Sequence, residues 1–398
     1  MFHAESSPAA LIAGWARSAV APHGGAFSAL QAHDIAAPVI QALLKRTGIG
    51  PEKVDAVVVG NALGAGGNPA RLVALAAGLP DSCAAFSIDT QCCSGLDAVS
   101  MAVGLIASGQ ASVVIAGGVE AWSRSPIRQH RPLREGGAAL AYERPAFAPD
   151  PARDPDVLAS ASRYAVAQGW TRAAQDAYAV QSHERALAHQ ALSADESVSE
   201  IICINGLTHD PYPRRITGAL AARMPAVARH EETECEDAES TDCSLSALSI
   251  SAKADGAGFI LLASNEACQT LELKPKAAWI TSASVGCPPE TPLLAAEAAT
   301  RAVLSRAGLS SAGTLAVIEL HDAFAVQGLS FCQALQIDLL RVNRGGGGLA
   351  RGHPIGASAA IALVRVLAEL SREKPSSLGL TAVAGAGGLG AAAIVQRL

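Results

Sequence analysis

The chain has 398 residues and a formal net charge of −6; half of its residues are hydrophobic, 17% are charged and 4% aromatic. That much apolar material builds a large core or two cores packed together, and an acidic, aromatic-poor chain excludes a nucleic-acid-binding role, which needs a basic face with stacking side chains. The nine cysteines are odd in number and show no C-x-x-C pair, so no disulfide framework and no structural zinc site are expected, and the thiols are read as reduced in the cytoplasm.

Met1 to Pro8 lacks the basic and apolar stretches of a signal peptide, so secretion is not expected. Ala9 to Ala16 reads as a first strand. Asp34 can cap a helix running through Leu44, with Ile35, Val39, Ile40, Leu43 and Leu44 facing inward and Gly48 and Gly50-Pro51 ending it. Val54 to Val59 is the next strand, and Asn68-Pro69 is an N-cap and first-turn proline for the helix carrying Arg71 to Ala77. Phe86 to Thr90 is extended and leads into Cys92-Cys93-Ser94-Gly95. Beyond it Leu96, Val99, Val103 and Ile106 recur at helical spacing, and Ser112 to Ala116 is a buried strand. Strands alternating with helices imply an α/β fold with a parallel or mixed sheet covered on both faces.

From Glu120 to about Leu245 the texture changes: prolines crowd between Pro126 and Pro155, one or two helices fall between Val157 and Ala191, and an acidic run covers Glu231 to Glu239. This reads as a long excursion covering one end of the sheet. Its basic cluster, Arg124, Arg128, His130, Arg131 and Arg134, is read as a solvated face, with a phosphate-bearing ligand as the alternative. The acidic run with Cys235 and Cys243 matches no common metal-ligand spacing and reads as an exposed loop.

The α/β pattern resumes after a glycine turn at Asp255 to Gly258, with strands at Phe259 to Ala263, Ala277 to Val285 and Leu315 to Leu320 and a helix at Leu293 to Ala307. The third of these strands delivers His321-Asp322-Ala323-Phe324. Gly345 to Gly348 leads to Gly352-His353-Pro354-Ile355-Gly356, a helix from Ala357 to Leu370, and a closing pair of strands from Leu378 to Val395. That last run is uncharged and long enough for a membrane span, but its five glycines suit a buried strand pair. Gly385, Gly387 and Gly390 match G-x-G-x-x-G, yet the chain ends before the helix, second strand and acidic residue that a dinucleotide site needs.

The second half thus repeats the order of the first, which puts a cysteine-bearing and a histidine-bearing turn at one end of a pseudo-symmetric sheet. A thiol at a helix N-terminus is biased toward thiolate, although Asp97 opposes this, and Cys92 as a small buried hydrophobe remains the alternative. With His321 and His353, Cys92 fits a Cys–His acyl-transfer site.

These residues resemble the thiolase family. Cys92-Cys93-Ser94-Gly95 is similar to its C-x-S-G motif, Asn68-Pro69-Ala70-Arg71 and Gly117-Gly118-Val119-Glu120 resemble its flanking segments, and Asn343 to Ala357 resembles its N-P-x-G-G…G-H-P-x-G-A block. The resemblance implies a thiolase fold: two pseudo-symmetric βαβαβ-type halves in five layers, each with five strands. The N-terminal half spans 1–265, with a coenzyme A loop domain inserted at about 119–245, and the C-terminal half spans 266–398. It further implies Cys92 as the acylated nucleophile, His353 as its activator, and the N–H groups of Cys92 and Ala386 as an oxyanion hole. Ser251, Ala323 and Phe324 stand at the acyl-CoA substrate, and no metal or permanently bound cofactor is implied. Homodimers or homotetramers, with no nucleic-acid or membrane partner, go with it.

His321 stands where most thiolases have asparagine, so His321 to Phe324 resembles the H-D-C-F of sterol-carrier-protein type thiolases. The second cysteine of the family's C-x-G-x-G-x-G is here Ala384, and the alternative source in H-D-C-F is Ala323. Cys93 is a poor substitute because neighbouring side chains on a turn point apart. The resemblance therefore implies an acetyl-CoA acetyltransferase-like enzyme. The alternatives are a decarboxylative acyl transfer using Cys92, His321 and His353, or a homologue that binds acyl-CoA without condensing it.

Overall fold

A computed structural model describes residues 8–64, 66–192, 199–230 and 242–398; the acidic run and Cys235 lie outside the described residues. The first half comprises β1 (Leu11–Ser18), α1 (Ala32–Thr47), β2 (Ala56–Gly60), α2 (Pro69–Ala76), β3 (Ala84–Ile88), α3 (Ser94–Ala107) and β4 (Val113–Ala121). An excursion with helices α4 (Val157–Gln168) and α5 (Arg172–Leu192) follows before β5 (Ala254–Ala263). The second half comprises β6 (Ala277–Gly286), α6 (Ala295–Arg306), β7 (Val317–His321), α7 (Ala325–Leu335), α8 (Ser358–Leu370), β8 (Leu378–Gly385) and β9 (Leu389–Arg397).

Local chemistry explains most of these boundaries and the departures from expectation. Asn68 caps α2 by accepting the Arg71 N–H at 3.2 Å, ahead of Pro69. At α1, Gln31 rather than Asp34 is the N-cap. Asp34 sits three residues in and accepts the Gln31 N–H at 2.9 Å, which is the returning half of a capping box. The glycines from Asp255 to Gly258 form strand rather than a turn, because β5 pairs along its whole length with β4. Helix α7 carries no amphipathic signal: every residue from Ala325 to Cys332 is buried, so no polar face marks it.

Strand order across the sheet is β7-β8-β9-β6-β1-β5-β4-β2-β3. The two halves join where Leu11 and Ile12 of β1 pair with Ala278 and Ala277 of β6. Counted outward from that join, each half places its first, last, penultimate and second strands in the same order. The third place is β3 in the first half, but in the second it shrinks to one bridge between Val342 and Ile318, so four strands stand there where five are expected.

Three stacked apolar clusters give the five layers. Ile35, Ile40 and Leu43 of α1 pack with Val57 on one outer side, and Val303, Leu304 and Phe331 of α6 and α7 pack with Ile318 on the other. Between the two halves of the sheet lies the cluster containing Leu96 and Val99 of α3 with Leu363 and Val364 of α8. Helix α3 follows the cysteine turn and α8 follows the histidine turn, so packing them together fixes the site.

Close approach depends on glycine at three places. A Cβ on Gly60 would meet the backbone of Ser94 and Gly95, one on Gly95 would meet the Ala360 nitrogen, and one on Gly118 would overlap the Gly356 carbonyl oxygen. Gly118→Ala should therefore destabilise the fold by about 3 kcal/mol in urea unfolding. Gly104→Ala, on a helical surface where an added Cβ meets nothing, should stabilise it by about 0.5–1 kcal/mol. Equal effects of the two substitutions would contradict this account of the join.

Candidate active site

Gln91 precedes the cysteine with a left-handed φ of 55°, its N–H held by Asp89 at 3.0 Å. A short turn over Gln91–Cys93 then feeds α3. Ser94 ties this turn together, accepting the Thr90 N–H at 2.9 Å and donating to the Gln91 carbonyl at 2.6 Å. On the other half, Gly352 adopts φ 111°, which a side chain would strain, and the His353 N–H donates to Ala252 at 2.7 Å. The two turns bring Cys92 Sγ within 3.1 Å of His353 Nε2.

His353 Nδ1 in turn lies 2.7 Å from His321 Nε2 and 2.7 Å from Ser358 Oγ. Ser358 donates its hydroxyl to Pro354 at 2.9 Å, so its oxygen can accept from Nδ1–H. That tautomer leaves Nε2 as an acceptor facing the Cys92 thiol. The arrangement is a chain of contacts from thiol to imidazole to imidazole.

Electrostatics here oppose the expectation of a resting thiolate. Burial pushes the Cys92 thiol up to about 12, outweighing the Ala386 N–H and its own N–H, which favour the anion, while Glu120 and Asp89 add to the rise. Burial holds His353 down at about 4 and His321 well below its usual value, the latter assisted by His353 and Arg351. At neutral pH the pair is thiol and neutral imidazole sharing one proton.

Glu120 is the cross-brace that sequence reasoning did not single out. Its buried carboxylate accepts from Asn61 Nδ2 at 2.9 Å, from the Ala62 and Leu63 N–H groups at 3.0 and 3.3 Å, and across the halves from the Gly356 N–H at 3.0 Å. Burial raises it to about 7 despite these donors. The signal that could have found it is a lone carboxylate near the end of an apolar strand. Ser358 was also missed, although a serine starting the helix after His353 was visible.

Ser251, Ala323 and Phe324 lie on two adjoining segments: the Ser251 N–H donates to the Ala323 carbonyl at 2.8 Å and Ile250 bridges Phe324. The Ser251 hydroxyl is engaged by the Gly348 carbonyl at 2.6 Å. Asp322 accepts from Tyr178 at 2.9 Å and from the Gly348 N–H, and burial raises it to about 6. Ala384 is buried on β8 and Ala386 follows in the turn before β9. The Cys93 sulfur lies under β8, 4.0 Å from the Val383 carbonyl. Asp97 accepts from Thr90 at 2.6 Å and from Ser284. Arg124, His130, Arg131 and Arg134 are exposed and Arg128 is half-buried. Among the described residues no cluster of three or more His, Cys, Asp or Glu could hold a metal, and no helix is long and apolar enough to cross a membrane.

Known proteins resemble this chain along nearly its whole length. The thiolase N-terminal domain matches residues 10–266 and the thiolase C-terminal domain residues 273–397. Acetyl-CoA acetyltransferases from Allochromatium vinosum and Thiocystis violacea are 35% and 34% identical, each over 96% of this chain and 97% of their own. A thiolase from Ascaris suum, solved in complex with coenzyme A, superposes with a TM-score of 0.86 at 28% identity, covering 98% of this chain and 100% of its own.

With the thiol near 12 and His353 near 4, alkylation of Cys92 by iodoacetamide should climb without a plateau, about ten-fold per pH unit between pH 6 and 9. Peptide-level mass spectrometry across that range reads it. A rate already flat below pH 7 would mean a preformed ion pair and contradict the assignment.

Proposed function

Because the chain belongs to the thiolase family, we propose that it transfers acyl groups from acyl-CoA thioesters through an acyl intermediate on Cys92, as an acetyl-CoA acetyltransferase-like enzyme. The observation that carries this is the 3.1 Å contact of Cys92 Sγ with His353 Nε2, beside the Ala386 N–H. His353 takes the thiol proton as Sγ attacks the thioester carbonyl, and the N–H groups of Cys92 and Ala386 receive the developing oxyanion. The C–S bond of the thioester then breaks, and coenzyme A leaves with the proton returned from His353. Ser251, Ala323 and Phe324 flank the acyl-CoA in this reading. The enzyme needs no permanently bound cofactor for these steps.

Transfer to carbon requires a carbanion on the acceptor. Alanine at both 384 and 323 offers no thiol base, whereas His321 touches His353 at 2.7 Å. These two observations favour a second reading, decarboxylative transfer, in which loss of carbon dioxide creates the carbanion and the histidines stabilise the enolate oxygen.

The halves are read as 1–265, carrying the loop domain, and 266–398. A homodimer or homotetramer is supported by the edge strand β3, which among the described residues pairs on one side only and leaves Phe86 43% exposed, with Leu72 and Leu75 of the neighbouring α2 also exposed. Light scattering at two or four times 40.3 kDa checks this. The eight free cysteines among the described residues suit a reducing compartment such as the cytoplasm.

Intact mass after incubation with acetyl-CoA should show one acetyl group, absent from Cys92→Ala. Thiolysis of acetoacetyl-CoA by free coenzyme A supports the first reading, and product from malonyl-type donors alone supports the second. In the first case Ala384→Cys should raise thiolysis roughly ten-fold or more by restoring a base. No adduct from any acyl-CoA would overturn both readings and leave an acyl-CoA-binding homologue.

A further inference from the structure

Helix α5 of the excursion lays one side along the glycine stretch that precedes the histidine turn. Tyr178, Ser182 and Ala186 follow at intervals of four residues, which places them on one face of the helix. Ser182 Oγ accepts the Gly347 N–H at 2.9 Å, and a Cβ on Gly346 would meet the Ala186 Cβ and the Ser182 carbonyl oxygen. Tyr178 reaches further, donating its hydroxyl to Asp322 Oδ2 at 2.9 Å. Gly328 of α7 leaves room for that ring, since a Cβ there would collide with the phenol oxygen.

Asp322 passes the hold on. Its Oδ1 accepts the Gly348 N–H, and the Gly348 carbonyl takes the Ser251 hydroxyl at 2.6 Å, so Gly348 is tied at both its N–H and its carbonyl. The His321 ring stands against this residue: a Cβ on Gly348 would come within 2.8 Å of Cε1 and 2.9 Å of Nδ1. The remaining ring nitrogen, Nε2, is the atom 2.7 Å from His353 Nδ1. Tyr178, Asp322, Gly348 and His321 are all buried, so water does not compete for these bonds.

We propose that Tyr178 is a positioning residue, which through Asp322 and Gly348 fixes the place of the His321 ring and with it the contact to His353. The excursion thereby acts on the two histidines as well as covering one end of the sheet. Burial, His353 and Arg351 keep the His321 ring neutral, and Asp322 contributes place rather than charge.

The inference rests on the acyl-transfer reading of the Cys92–His353–His321 site, and its test has one readout that needs no turnover. In protein labelled with 15N at histidine, the His321 ring signals, identified by their loss in His321→Asn, should shift in Tyr178→Phe and in Asp322→Ala. In rapid mixing with acetyl-CoA, the limiting rate of coenzyme A release should fall roughly ten-fold in both variants while the half-saturating acetyl-CoA concentration stays the same. Asp322→Asn should keep the wild-type ring signals and a rate within about three-fold of wild type, because its amide oxygen can accept the Gly348 N–H and its NH2 can donate to Tyr178. Ser330→Ala unties Trp170 of the excursion from α7, a bond of 3.0 Å remote from Asp322 in the hydrogen-bond chain, and should leave the His321 signals unmoved. Tyr178→Phe removes one oxygen only and carries the test if Asp322→Ala does not fold. Unmoved His321 signals in Tyr178→Phe, a loss in Asp322→Asn equal to that in Asp322→Ala, or a shift in Ser330→Ala as large as in Tyr178→Phe overturns the proposal. A wild type that releases no coenzyme A would count against the acyl-transfer reading, and the ring signals would still decide the positioning role.

Discussion

The site depends on holding two turns from different halves of the chain against each other with nothing between them. Glu120 does this electrostatically, gathering donors from Asn61, Ala62 and Leu63 on one half and from Gly356 on the other. Gly60, Gly95 and Gly118 do it sterically, by leaving out the Cβ atoms that would fill the space. A buried carboxylate left unpaired would be expensive, so the four donors and the carboxylate require one another. Once Gly356 is fixed, His353 three residues earlier has little freedom, and the Cys92 contact follows.

That rigidity bears on how Cys92 would work as the proposed nucleophile. A helix N-terminus favours a thiolate, and sequence logic points that way, but Cys92 is nearly fully buried and desolvation outweighs the donated N–H groups. The site therefore stores no charge at rest. In the proposed reaction, charge separates only when a carbonyl arrives to receive electrons from sulfur while His353 receives the proton, and preorganised donors act on that transient charge. His321 and Ser358 on the far side of His353 hold its ring and its tautomer, which makes the imidazole a relay between Cys92 and the interior of the second half.

Much of this was legible in the sequence. The strand–turn–helix pattern repeated in two halves located Cys92 and His353 at equivalent turns, and the α/β order followed from alternating periodicities. What was hidden is instructive. Helix α7 is buried along most of its length, so periodicity carries no signal there. The glycine stretch before Phe259 looked like a turn because pairing with β4, rather than local preference, makes it strand. Asp34 as a cap was off by three residues because aspartate serves both ends of a capping box. Glu120 acts through a partner far away in sequence, and no local spacing reveals a contact that only the packing of two halves creates, whereas Ser358 meets His353 only five residues away.

The central claim is that Cys92 and His353 act as one proton-sharing unit assembled from both halves. Rapid-mixing release of coenzyme A from acetyl-CoA, without an acceptor, tests it most directly. The wild type should release one equivalent per chain in a fast phase, and His353→Ala should release the same equivalent at least about 100-fold more slowly. A fast phase of unchanged rate in His353→Ala would contradict the account.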